Sequence, residues 1–271
     1  MGADLSFVLR HPGPVDSRLD PAPVVATFAQ AVRPVVDVVG LYAGGSLASG
    51  DYHPGLSDLD LVAVISAPLD ARKQHELRQL HETIRQEHPP AAKLHCIYVP
   101  RGEVADVKAA HVMWTHGRLA HWHLSGVARA ELLRNGITVY GPPPADLLPP
   151  VDDAALRVAV RAELTGHWRT SVRWPWLWRW LSDWFVDLGL LTLARAEAAL
   201  DDGRLITKSE ALGRLDRFGV PADLSQQIGR RRQGENTPLS TIQRIRRAYI
   251  ARRIVACGLR TLTHTDASRH R

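Results

Sequence analysis

The sequence predicts an α/β N-terminal domain, a small mixed sheet flanked by helices, followed by an all-α C-terminal helical bundle. Three observations carry this. Apolar β-branched runs alternate with helix-period segments through the first half. The proline-rich stretch "GPPPADLLPPV" (141–151) continues neither a helix nor a central strand. Beyond it the strand pattern stops and helical periodicity takes over. The domains are therefore placed at 1–150 and 151–271 of a 271-residue chain.

The elements follow in order. "VVDVVGLYA" (35–43) is apolar and β-branched, as a buried strand should be, and "LDLVAVIS" (59–66) reads the same way. "DARKQHELRQLHETIRQEH" (70–88) carries Leu77, Leu80 and Ile84 at helical spacing and is stopped by "HPP". "KLHCIYVP" (93–100) is a third strand. "SGVARAELLRNG" (125–136) is a helix with a glycine at its end, and the short strand "ITVYG" follows it. In the second domain the helices are expected at about 152–168, 175–201, 206–217, 221–231 and 239–262. The last has Ile242, Ile245, Tyr249, Ile254 and Leu259 as its apolar stripe.

Composition narrows the class. The apolar fraction of 45% is that of a globular protein, and no uncharged run is long enough to span a bilayer. "MGADLSFVLRHPGP" lacks the basic segment and apolar stretch of a secretory signal. "MGADLS" fits a loose myristoylation pattern, but no second membrane signal accompanies it. Cys96 and Cys257 lie far apart, which suits a reducing cytoplasm rather than a disulfide framework or a zinc site. The net charge of +6 comes from arginines spread along the chain. Only "GRRRQ" (229–233) is a tight cluster, and it reads as a solvated helix end, so nucleic acid is not the expected partner.

The chemistry concentrates in "GLYAGGSLASGDYHPGLSDLDLVAVI", from Gly40 onward. A Gly-Gly-Ser turn after a strand presents backbone N–H groups and a hydroxyl to a phosphate: Gly44 and Gly45 allow close approach, and Ser46 can donate. Residues two apart on a strand share a face, so Asp58 and Asp60 stand side by side. Like charges that close resist joint ionisation. A divalent cation removes the conflict, and hard oxygen donors in small number suit Mg²⁺ shared with substrate phosphates.

A second candidate lies in "RWPWLWRWLSDWFVDLGLL". Pro175 suits the first turn of a helix, and Trp176, Trp180, Asp183 and Asp187 then fall on one stripe. Tryptophan faces suit sugar rings and attract cations. Two acids at i, i+4 repel unless something cationic sits between them. Either the stripe lines a binding site, or the tryptophans are core and the acids pair with arginines such as Arg173 or Arg179.

"GGSLASGDYHPGLSDLDL" resembles the signature of the DNA polymerase beta-like nucleotidyltransferase superfamily: Gly-Ser, about ten residues, then Asp-x-Asp on a strand. "ARAELLRNGITVYGPPPADLLPPV" and "LLTLARAEAALDDGRLITKSEAL" (190–212) resemble, respectively, the end of the catalytic domain and the helical domain of aminoglycoside adenylyltransferases of the streptomycin/spectinomycin type. The resemblance implies transfer of AMP from Mg²⁺–ATP to a hydroxyl of a small molecule, an aminoglycoside being the best match, with release of pyrophosphate. It implies Asp58 and Asp60 as metal ligands, Gly45 and Ser46 as the cradle of the β and γ phosphates, and Lys208 as a lysine reaching the triphosphate. The family's third acid, on the strand after the helix, is replaced here by His95. His95 is then the base for the acceptor hydroxyl, or the base lies elsewhere, with Asp183 or Asp187 the expected substitutes, or turnover has been lost. The competing readings are a protein AMPylator or antitoxin-type nucleotidyltransferase, which the long helical domain disfavours, and a non-catalytic nucleotide- or RNA-binding relative.

Overall fold

The computed structural model describes residues 21–173, 176–236 and 238–264. "MGADLS", Pro175 and the side chain of Trp176 lie outside the described residues. The chain divides into two compact units, Met1–Val151 and Asp152–Arg271.

The first unit is built on six strands: β1 (Val38–Ala43), β2 (Leu59–Ile65), β3 (Leu94–Pro100), β4 (Ala110–Thr115), β5 (Arg118–His123) and β6 (Ile137–Tyr140). Their order is β5-β4-β3-β2-β1-β6. Only β2 and β3 run parallel; the other neighbours are antiparallel. Helix α1 (Pro21–Val32), the one-turn α2 (Gly45–Ala48), α3 (Ala71–Glu87), α4 (Gly126–Asn135) and the short α5 (Pro144–Leu147) complete it.

Side-chain alternation decides which face does what. Leu59, Leu61, Ala63 and Ile65 of β2, with Leu94, Cys96 and Tyr98 of β3, join Val25 and Phe28 of α1 and Leu77 and Ile84 of α3 in one core. Val62, Val64, Ile97 and Val99 point to the other face and meet Leu132 and Ala128 of α4. Asp60 and His95 sit on that second face, each in the first turn of pleat of its strand. Within the first core, His81 stacks on Trp114 at 4.7 Å and shares a 2.7 Å hydrogen bond with the Tyr98 hydroxyl. Burial pushes its pKa down to about 3, so it is a neutral core residue.

The β4–β5 hairpin and α1 are additions to the elements expected from sequence. The hairpin's "AHVMWTHGRLAHWH" alternates, yet histidines interrupt the apolar positions and mask the period of two.

The second unit is helical throughout its described residues: α6 (Asp153–Glu163), α7 (Arg169–Ser171), α8 (Asp183–Asp202), α9 (Lys208–Leu212), α10 (Ala222–Arg232) and α11 (Thr241–His264). A π turn, Leu164–Trp168, joins α6 to α7. Two sequence expectations are corrected. The predicted helix 175–201 is a 3₁₀ segment, Trp176–Leu181, then a fresh start of α8 after Ser182, which lies in extended conformation. On α11 the buried face is Ala248, Ala251, Val255 and Leu259, whereas Ile242, Ile245 and Tyr249 are exposed. Small residues win that face because the helix packs closely: a Cβ at Gly258 would lie 2.5 Å from Leu193 Cδ2 of α8.

Candidate active site

The site forms where β1 ends and β2 and β3 begin. Gly44 closes the ladder, donating its N–H to the Asp60 carbonyl at 2.8 Å. The chain then turns into α2 through Gly45 at φ 58, a left-handed conformation that glycine adopts without steric cost. A Cβ at Gly45 would lie 2.4 Å from Asp60 Oδ2, so the bare backbone of the turn lets the carboxylate pack against it. Two separate requirements, conformation and contact, thus call for the same glycine. Ser46 is half-buried in the first turn of α2.

Asp58 immediately precedes β2 and Asp60 is its second residue; both are half-buried. The loop before them is tied down. His53 N–H donates to Ser57 Oγ at 2.9 Å, and Lys93 Nζ donates to the Leu56 carbonyl at 2.5 Å. Lys93 directly precedes β3, so this contact holds the Asp58 end of the loop to the start of that strand.

The parallel register sets Asp60 beside His95. His95 Nδ1 lies 3.7 Å from Asp60 Oδ1, with the histidine side chain 11% and the carboxylate 48% exposed. Against His95 stands a residue that the sequence reading passed over, His116, with ring centroids 4.9 Å apart at 71°. His116 lies in the turn of the β4–β5 hairpin. The signal for it was the His-Gly pair between two alternating runs, the position of a two-residue hairpin turn.

Among the described residues no group of three or more His, Cys, Asp or Glu side chains is gathered to hold a metal by itself. Two partly exposed carboxylates beside a glycine turn match a different arrangement: hard oxygen donors that complete their shell with phosphate oxygens.

The other expected site residues belong to the helical unit. Trp180 is 1% exposed. Its indole N–H donates to the Ser171 carbonyl at 3.0 Å, and its ring stands 5.1 Å from that of Phe185. It is interior packing and offers no face to a sugar. Asp183 and Asp187, in the first turns of α8, are both ion-paired, though with other arginines than those expected. Arg231 of α10 forks onto Asp187, with Nε and Nη2 at 2.8 and 2.7 Å. Arg247 of α11 pairs with Asp183, and Arg231 Nη1 also approaches Asp183 at 4.0 Å. Burial pushes the Asp187 carboxyl up while the Arg231 guanidinium opposes that shift. Arg231, from the cluster read as solvated, is thus only 13% exposed. Lys208 is exposed at the first position of α9, behind a capping box made by Thr207 and Glu210.

Residues 25–108, the span that includes Gly45, Ser46, Asp58, Asp60 and His95, match the nucleotidyltransferase domain family. The first unit carries a nucleotidyltransferase domain. The fold is also that of a solved structure, spectinomycin adenyltransferase AAD(9) from Enterococcus faecialis with ATP and spectinomycin. The likeness has a TM-score of 0.65, covers 88% of this chain and 100% of that one, and carries 16% sequence identity. Among curated proteins there is no significant match.

Proposed function

We propose that the protein transfers AMP from Mg²⁺–ATP to a hydroxyl of a small molecule, an aminoglycoside being the class that fits best, and releases pyrophosphate. The observation that carries this is the packing of the Asp60 carboxylate on the bare backbone of Gly45, with Asp58 two residues away. An anionic pair beside a glycine turn supports this reading. The solved neighbour, which holds ATP and spectinomycin, supports the choice of nucleotide and acceptor class.

In this reading Asp58 and Asp60 hold Mg²⁺ together with the nucleotide. The bound cation would neutralise charge on the phosphates and on the departing pyrophosphate. Gly45 and Ser46 donate to the β and γ phosphate oxygens. His95 takes the proton of the acceptor hydroxyl. Asp60 faces Nδ1 and favours the tautomer protonated there, which leaves the Nε2 lone pair as base. The hydroxyl oxygen then bonds to the α-phosphorus, the bond from that phosphorus to the bridging α–β oxygen breaks, and pyrophosphate leaves. Asp183 and Asp187 are not assigned this proton, because guanidinium groups already engage both carboxylates. Among the described residues of the helical unit, Trp178 and Trp184 are the indoles exposed to meet a sugar ring, at 66% and 62%.

Use of ATP fits action in the cytoplasm, and no helix among the described residues is long and apolar enough to cross a membrane. The test is pyrophosphate release from Mg²⁺–ATP over a panel of aminoglycosides, unrelated hydroxyl compounds and unfolded or folded proteins. Acceptor-dependent release with an aminoglycoside is the expected result. Release only with protein acceptors would favour AMPylation, and nucleotide binding with no release would favour a non-catalytic relative.

A further inference from the structure

The backbone at His116 is unusual. It is the one non-glycine among the described residues with positive φ, at 49°, and Gly117 follows at 75°. Two consecutive left-handed residues between Thr115 and Arg118, which pair across the hairpin, make the tight turn that suits the twist of flanking strands. Side chains other than glycine adopt this conformation rarely, asparagine, aspartate and histidine more often than the rest. An outlier of this kind points to a use for the side chain.

The use is visible in what the ring touches. Cys96 of β3 pairs with Trp114 of β4. Continuing that antiparallel register places the turn just beyond His95. The His116 ring stands edge-on to the His95 ring at 4.9 Å and 71°. On its other side, His95 Nδ1 faces Asp60 Oδ1 at 3.7 Å. Gly117 completes the turn at φ 75°, a conformation that glycine adopts without steric cost. The χ2 angle of an imidazole is broadly distributed and roughly two-fold unless neighbours restrict it.

We propose that His116 is a positioning residue for His95: the hairpin turn holds its ring edge-on so that the His95 imidazole keeps Nδ1 toward Asp60 and Nε2 open for the acceptor proton. This rests on the reading of His95 as base in nucleotidyl transfer. His116 itself touches neither nucleotide nor acceptor in this account. The turn is the element that brings a second ring to His95.

Two variants separate the ring from the turn. His116→Asn suits the left-handed turn but removes the ring, and His116→Phe keeps a ring that can stand edge-on. With ATP and an active acceptor, His116→Asn should lower kcat about tenfold and leave the KM for ATP within about twofold, because a base displaced by a fraction of an ångström loses rate, not nucleotide binding. His116→Phe should recover most of that kcat. The second readout needs no turnover. In ¹⁵N spectra of the imidazoles, His95 should show mainly the Nδ1–H tautomer in the wild type and in His116→Phe, and a mixture in His116→Asn. An unchanged His95 signal in His116→Asn, or a His116→Phe variant as slow as His116→Asn, would overturn the proposal. If His95 responds to His116 as described while wild-type protein releases no pyrophosphate with any acceptor, the positioning contact stands and the assigned reaction fails.

Discussion

Two pairs of aspartates stand in this chain at short, regular spacing, and their surroundings give them opposite characters. Asp58 and Asp60 lie at the mouth of β2, where Gly45 offers backbone and the neighbouring side chain is an imidazole. Asp183 and Asp187 open α8, where Arg231 and Arg247 neutralise them and tie α8 to α10 and α11. A helix start favours acidic residues through its dipole, and fork-shaped guanidinium groups then complete a structural network. At the strand-end pair the neighbour is the His95 imidazole, with Nδ1 3.7 Å from Asp60 Oδ1. Spacing alone made both pairs look like sites; what separates them is which counter-charge the fold brings in. That counter-charge comes from residues far away in sequence, 44 positions between Asp187 and Arg231.

The largest effect should come from the strand-end pair. Asp60→Asn should cut pyrophosphate release roughly a thousandfold or more, since it removes half of the anionic cage for the cation. Circular dichroism and melting temperature should stay near those of the wild type, because the side chain is 48% exposed. The helix-start pair should invert this pattern. Asp187→Asn leaves Arg231 buried without its fork partner and should cost about 2–4 kcal/mol in urea unfolding. The double variant Asp187→Leu/Arg231→Met should be closer to wild type than the single one, because it removes both charges together. If Asp187→Asn instead abolished release without loss of stability, the network would be a site after all. The smallest effect concerns the turn. Ser46→Ala should weaken nucleotide binding or slow transfer by about 1–3 kcal/mol, the loss of one hydrogen bond to a charged group.

Much of the first unit was legible in its residues. The runs that became β2 and β3 are apolar and β-branched, and the stretch that became α3 has an unambiguous helical period, so each period announces its partner surface. The glycine turn and the paired acids were legible for the same reason: both are short-range patterns on regular elements. What escaped was set by tertiary contacts. The β4–β5 hairpin carries histidines where apolar residues would mark alternation, and it was there that His116 went unseen. The α11 stripe misled because large apolar residues at helical spacing look like a core face, yet close packing against α8 selected alanines and Gly258. Trp180 could be read as site or core, and only its contacts with Ser171 and Phe185 decide it. Ser182 breaks the helix expected over 175–201, and once it does, the tryptophans and aspartates no longer share one helical stripe.

At the centre of the proposed mechanism, Asp58 and Asp60 bind a divalent cation jointly with a nucleoside triphosphate. Isothermal titration of ATP, with and without Mg²⁺, into the wild type and into Asp58→Asn and Asp60→Asn tests it most directly. Mg²⁺-dependent ATP binding to the wild type is expected, weakened at least about tenfold by leaving out the metal and by either substitution, since each removes a charge-assisted contact of about 1.5–3 kcal/mol. Equal ATP affinity with and without Mg²⁺ in the wild type, or an unchanged Mg²⁺-dependent affinity in both variants, would contradict it.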